Sequence, residues 1–207
     1  MQIIIDPKAN MTSQVCKILE SIIKESINNH INVNNLLNES QHGFISKRSC
    51  LTNLLQFIEI VTDYVDQGYP VNVIFLDFQK AFHKVPHGRL LLKVKAMGIG
   101  SLVENWLSDR KQRVVINGKC SGWSEVSSGE PQGSVLGPIL FVIFINDIED
   151  GICGNILKFA DDTKLFCKVG SDINCPKLRA DLRKLYNWSE DWQMLFNLDK
   201  CKIMHFG

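Results

Sequence analysis

No stretch of the sequence is apolar for long enough to cross a bilayer. Its most hydrophobic run, GPILFVIFI at 137–145, falls far short of the roughly 20 residues a spanning helix needs and reads as a buried helix instead. Charge of one sign is also lacking. The chain carries 23 Lys and Arg against 22 Asp and Glu, a formal net charge of +1, so no global field draws in a polyanion. A nucleic-acid partner must then be met by local clusters such as Lys93/Lys95, Arg110/Lys111/Arg113 or Lys200/Lys202. Internal repeats and low-complexity linkers are absent, so nothing in the sequence cuts the chain into independent domains. Seven cysteines (Cys16, Cys50, Cys120, Cys153, Cys167, Cys175 and Cys201) are odd in number, scattered and without a C-x-x-C pair, which reads as reduced intracellular thiols rather than a disulfide framework. Cys201 and His205 have C-x3-H spacing but no second ligand pair, which argues against zinc. The opening MQIIIDPKAN has no basic segment before its short apolar run, unlike a signal peptide.

With 45% hydrophobic residues, 207 residues can bury a real core. TSQVCKILESIIKESINNHI places Val15, Ile18, Leu19, Ile22, Ile23 and Ile27 at helical spacing, with Thr12 or Ser13 to cap it. SCLTNLLQFIEIVTDYVDQG repeats the pattern with Leu51, Leu54, Leu55, Ile58, Val61 and Val65, stopped at Gly68. YPVNVIFLDF switches to β-branched and aromatic residues, predicting a strand buried on both faces with Asp77 at its far end. A short helix ended by Pro86 and a longer one holding Leu90–Val94 follow. Asn117-Gly118 marks a hairpin, and SSGEPQGSVLGP feeds the buried helix, which the pattern ends near Ile148. NILKFADDTKLFCKV predicts a hairpin with Asp161 and Asp162 at its turn; a helix over KLRADLRKLYNWSEDW and a last strand, CKIMHF, complete the chain. Helices and strands mix without strict alternation, so the fold class is α+β.

Two aspartates at a turn are ordinary by themselves, because Asp favours turns through local hydrogen bonds. Asp77 alters the reading. If its strand and the hairpin share a sheet, three carboxylates meet at one edge and repel one another unless divalent cations lie among them. Oxygen ligands suit Mg²⁺ or Mn²⁺, and two such ions about 3.5–4 Å apart clamp the attacking and leaving oxygens of a phosphoryl transfer. Nucleotidyl transfer or its reverse is the chemistry implied.

VNVIFLDFQKAFHKVPH, GEPQGSVLGPILFVIFINDI, KFADDTKLF and KCKIMHFG, in this order, resemble the successive palm motifs of reverse transcriptases, and QHGFISKRSCLTNLLQF resembles the fingers segment before them. The wording is that of non-LTR, LINE-type retrotransposons, close to the jockey-like group, and it runs from about Thr12 to Gly207. The resemblance implies a right-hand polymerase with residues 1–69 as a fingers-like helical part and 70–207 as a palm whose antiparallel sheet is backed by helices. It implies RNA-directed DNA polymerisation, with an RNA template, a DNA primer, dNTPs and two Mg²⁺ ions for which Mn²⁺ can substitute. Asp77, Asp161 and Asp162 would be the catalytic metal ligands. Phe82 would be the steric gate against a 2′-hydroxyl, Gln132 and Gly133 would meet the incoming nucleotide, and Lys202 would stand near the leaving pyrophosphate.

The sequence also departs from the family. DPKAN, with Lys8, stands where an Arg-Pro pair is usual. Ile45 replaces the basic residue after Gly-Phe, leaving Lys47 and Arg48 for substrate; His83 stands where AFD is typical, and Glu130 where a small apolar residue usually precedes PQG. From its extent the chain reads as a fingers-palm piece with the thumb missing and the endonuclease and thumb expected in neighbouring sequence, and as intracellular, in nucleus or cytoplasm. Two other readings stay open: a non-catalytic remnant that keeps the fold and binds nucleic acid weakly, and a metal-dependent nuclease or cyclase on a similar palm.

Overall fold

The computed structural model describes residues 4–5, 14–116, 118–131, 133–169 and 174–207. They fall into two compact units, each assembled from two stretches of chain: residues 1–36 with 82–144, and residues 37–81 with 145–207. No helix among the described residues is long and apolar enough to cross a membrane.

The first unit holds β1 (Ile4–Ile5), α1 (Gln14–Val33), most of α3 (Ala81–Lys84), α4 (His87–Ala96), α5 (Gly100–Leu107) and α6 (Gly137–Phe144). Small strands β3 (Lys111–Gln112), β4 (Val114–Ile116), β5 (Lys119–Cys120) and β6 (Ser124–Glu125) complete it. Gly118, at φ +76°, turns β4 back onto β5 as the Asn-Gly signal predicts; Asn117 lies outside the described residues. The buried helix is shorter than its apolar run. It stops at Phe144, and residues Asn146–Glu149 form a separate 3-10 turn. In α1 the sequence stripe misleads: Val15, Ile18, Leu19 and Ile22 are exposed, while Glu20, Ile27 and Ile31 are buried. Buried Glu20 is well supplied, accepting from Trp106 Nε1 at 3.0 Å, Ser134 Oγ at 3.0 Å and Val135 N at 2.7 Å. Its candidate caps, Thr12 and Ser13, lie outside the described residues.

The second unit carries the main sheet. Strands β2 (Val71–Leu76), β7 (Asn155–Phe159), β8 (Asp162–Lys168) and β9 (Lys202–Phe206) lie in the order β7-β8-β2-β9, all antiparallel. Helices α2 (Cys50–Asp66) and α7 (Asn174–Asp191) belong to the same unit. Ser49 caps α2, its hydroxyl accepting from Thr52 N while Thr52 Oγ1 accepts from Ser49 N, and Gly68 at φ +82° ends it. Phe57 and Val61 of α2 pack with Val71, Val73, Leu157 and Phe166, and the rings of Phe57 and Phe166 meet edge to face at 5.2 Å. Each such side chain contributes about 1.5–3 kcal/mol on full burial. As in α1, much of the predicted stripe of α2 (Leu51, Leu54, Leu55, Ile58) stays exposed, and Asn53 is buried in its place.

Candidate active site

β2 is flanked on both sides, so a carboxylate just past its end has neighbours from two strands. Leu76 of β2 pairs with Thr163 of β8, which puts Asp77, one residue beyond, beside Asp162. On the other flank Phe75 pairs with Lys202 of β9, and Lys200 reaches Asp77, its Nζ 3.1 Å from Oδ2. Asp161 forms the turn between β7 and β8, half-buried, and Asp162 opens β8, exposed. Burial pushes the Asp161 carboxyl above the usual carboxylate range; Asp162 and Asp77 push it the same way, against its own backbone hydrogen bond and the Lys200 charge.

The three aspartates therefore stand at one end of one sheet, and Asp161 feels the charge of the other two. The donor set is oxygen only and net negative, and repulsion at Asp161 is what a cation relieves, so the residues suit a divalent ion of the Mg²⁺ or Mn²⁺ kind. Among the described residues, however, no three His, Cys, Asp or Glu groups stand close enough together to hold a metal ion, and Asp77 is engaged by Lys200.

Of the remaining candidates, Phe82 and Gly133 belong to the first unit and Arg48 and Lys202 to the second. Phe82 is half-buried, its ring tilted on that of Phe141 with centroids 4.4 Å apart, and its carbonyl accepts from Glu130 N at 2.9 Å. Gly133 has φ +79°, a conformation that favours glycine, and open space where a Cβ would lie. Gln132 and Lys8 lie outside the described residues. Arg48 donates from Nη1 to the carbonyls of Glu39 and Gln41. Lys202 is exposed, its ammonium on the Asp199 carbonyl at 2.9 Å.

Residues 7–206 match the reverse transcriptase (RNA-dependent DNA polymerase) family. The chain belongs to that family. Divalent-metal dependence is a general property of reverse transcriptases. This reverse transcriptase domain is 28% identical over 205 residues to the RNA-directed DNA polymerase from mobile element jockey of Drosophila melanogaster, covering 92% of this chain and 22% of the relative. It is likewise 28% identical over 206 residues to the probable RNA-directed DNA polymerase from transposon BS of the same fly, again covering 92% of this chain and 22% of that protein. The chain thus spans about a fifth of the length of these curated relatives. Among solved structures, apo telomerase from Candida tropicalis truncated from its C-terminal domain superposes with a TM-score of 0.70 at 11% identity, over 90% of this chain and 40% of that one. At that identity the likeness is one of fold, and it agrees with the α+β fingers and palm expected from the motifs.

Several residues around the aspartates carry no signal of their own in the sequence. Lys200 was visible only as part of a basic pair, and register alone brings it, rather than Lys202, to Asp77. Lys158 was unmarked. It is fully buried in β7, 3.5 Å from Glu149, and burial holds its ammonium below the usual lysine range against the pull of Glu149. Gln41, which opens QHGF, carries no sequence signal of its own.

Proposed function

We propose that this reverse transcriptase domain is the RNA-directed DNA polymerase of a retrotransposon and extends a DNA 3′-hydroxyl on an RNA template with dNTPs. The observation that carries this is the placing of Asp77, Asp161 and Asp162 at one end of the β7-β8-β2-β9 sheet, with the Asp161 carboxyl pushed up first by burial and then by the charges of Asp162 and Asp77. Residues 1–69 serve as the fingers-like part and 70–207 as the palm. Asp77, Asp161 and Asp162 would hold two Mg²⁺ ions, or Mn²⁺ in their place. Bound there, the ions supply Lewis-acid activation of the primer hydroxyl and neutralise phosphate charge. The chain's own residues bind and orient: Phe82 stands under the sugar, Gln132 and Gly133 meet the base pair, and Arg48 and Lys202 supply cationic side chains for the triphosphate and the leaving pyrophosphate. Lys200 pairs with Asp77 and competes with a metal ion for that carboxylate. The setting is intracellular, in nucleus or cytoplasm.

Primer extension on an RNA template by a protein containing residues 1–207 tests the reading, with Asp161→Asn as the diagnostic variant. Activity should fall by a factor on the order of a thousand, as when a main electrostatic stabiliser of a transition state is removed. Mn²⁺ should raise the melting temperature of the wild type and do so less in the variant, because a cation that binds only the folded state stabilises it. Undiminished extension and an undiminished Mn²⁺ shift in Asp161→Asn would together return the pair to being turn residues.

A further inference from the structure

The Asp161–Asp162 turn is gripped from a distant part of the chain. Residues 40–43 run along the open edge of β7: Lys158 N donates to the Ser40 carbonyl at 2.8 Å, His42 N donates to the Lys158 carbonyl at 2.8 Å, and Gln41 bridges Lys158 in parallel. Gln41 itself is buried. Its side-chain Oε1 accepts from Ala160 N at 3.0 Å and from Gly43 N at 2.7 Å, and its Nε2 faces the Ala160 carbonyl at 3.4 Å. Two backbone N–H donors aimed at one atom fix the orientation of the amide, since a flipped side chain would set donor against donor.

Ala160 needs such a grip. It directly precedes the aspartates and sits at φ +54°, in the left-handed region that non-glycine residues adopt at a cost of about 1 kcal/mol or more. Gly43 completes the fit: a Cβ there would lie 2.2 Å from Ala160 N, so only glycine lets the two backbones come this close.

We propose that Gln41, with Gly43 allowing its approach, is a positioning residue for the acidic pair, locking the Ala160 turn so that Asp161 and Asp162 face the cation site. The role toward a cation rests on the reading of the aspartates given above; the lock itself does not. Gln41 touches no reacting atom in this account. It acts through the backbone of residue 160, as second-layer hydrogen bonds orient metal ligands elsewhere at 10- to 100-fold in affinity.

Two readouts on the 207-residue chain test this, at a temperature where every variant is folded. In amide hydrogen exchange, Gln41→Ala should speed exchange at Ala160 and Gly43 by roughly tenfold, the worth of a lost hydrogen bond, while Phe166 in the core strand is unchanged. Gln41→Glu, protonated in this buried position, keeps an acceptor for both N–H groups and a donor for the Ala160 carbonyl, and should restore the slow rates. In Mn²⁺ titration followed by electron paramagnetic resonance, Gln41→Ala and Gly43→Ala should bind on the order of tenfold more weakly than wild type. Gln41→Glu should bind nearly as well as wild type, and so should Leu185→Ala, a buried truncation on α7 that destabilises the same unit without touching the turn. Unchanged exchange at Ala160 in Gln41→Ala would overturn the lock. Equal loss of Mn²⁺ in Leu185→Ala, or no rescue by Gln41→Glu, would reduce Gln41 to a general structural role and overturn the proposal. If wild type and Asp161→Asn take up Mn²⁺ alike, the cation reading falls and with it Gln41's role toward a metal, while the exchange rates still decide whether it holds the turn.

Discussion

Glu130 should contribute a loss of stability as pH rises. Part of the residue reaches the surface, but both carboxyl oxygens are sealed from solvent and have no hydrogen-bond partner. They lie against the start of α6, close enough that a Cβ on Gly137 would come within 2.5 Å of Oε2. A helix N-terminus favours an anion by at most about 2 kcal/mol, and here Ser134 Oγ already accepts from Leu136 N and Gly137 N. Desolvating a carboxylate costs several kcal/mol, so burial wins and pushes the Glu130 carboxyl well above the ordinary range. Folded protein therefore holds a proton that unfolded chain releases above an ordinary pKa of 4.5. Stability is fully present below that value and declines as pH rises toward the folded pKa, by about 1.4 kcal/mol per pH unit. Glu130→Gln keeps the shape and cannot titrate. Its stability relative to wild type should grow by up to about 2.7 kcal/mol between pH 5 and pH 7, whatever constant offset the amide adds. His87 has the opposite slope: burial lowers its pKa, against its bond to the Gly129 carbonyl, so its contribution rises with pH. Subtracting the two proteins' curves cancels it. Urea unfolding at pH 5, 6 and 7, followed by tryptophan fluorescence, gives the comparison. Parallel curves would mean that the Glu130 carboxyl is solvated or paired after all.

Phe82→Val should admit ribonucleotides, raising rNTP relative to dNTP incorporation on the order of tenfold in primer extension, since the ring would exclude the 2′-hydroxyl by volume; unchanged discrimination removes Phe82 from the gate. Lys200→Met frees Asp77 of its partner and should tighten Mn²⁺ binding up to about fivefold, the range of an exposed ion pair. Weaker binding in a calorimetric titration of that variant would show that Lys200 supports the site rather than competing for it.

The strands around the aspartates were legible because their signals are local. Val71–Leu76 is a run of β-branched and large apolar residues closed by an acid, and KFADDTKLF sets two such runs around a polar turn. Strand order was not legible: that β9 returns beside β2 depends on pairings more than a hundred residues apart in sequence. The helix faces were misread for a related reason. Apolar periodicity finds a stripe, but not whether a helix's neighbours cover it. In α2 the covered face is the one bearing Phe57, Val61 and Asn53, where the Asn53 amide donates to the Lys158 carbonyl at 3.2 Å and its oxygen accepts from Lys164. A polar residue placed to tie down a strand thus holds a position that a hydrophobicity count gives to leucine.

The same distinction separates the aspartates from the groups that hold them. A carboxylate's charge acts over several ångströms, so three of them in motifs that resemble a family's palm mark a candidate site even before their geometry is known. A neutral amide acts only at hydrogen-bond distance and in one orientation. Gln41 and Ala160 stand 119 positions apart, and nothing in either local sequence points to the other. Glu130 stands out in sequence only as a departure from the usual small apolar residue before PQG; its burial is not legible there, since a glutamate in a Pro/Gly loop reads as solvated until the fold closes over its oxygens. Charged candidates are therefore visible in sequence, whereas the neutral grip on their turn and the buried carboxyl of Glu130 emerge only where the chain folds together.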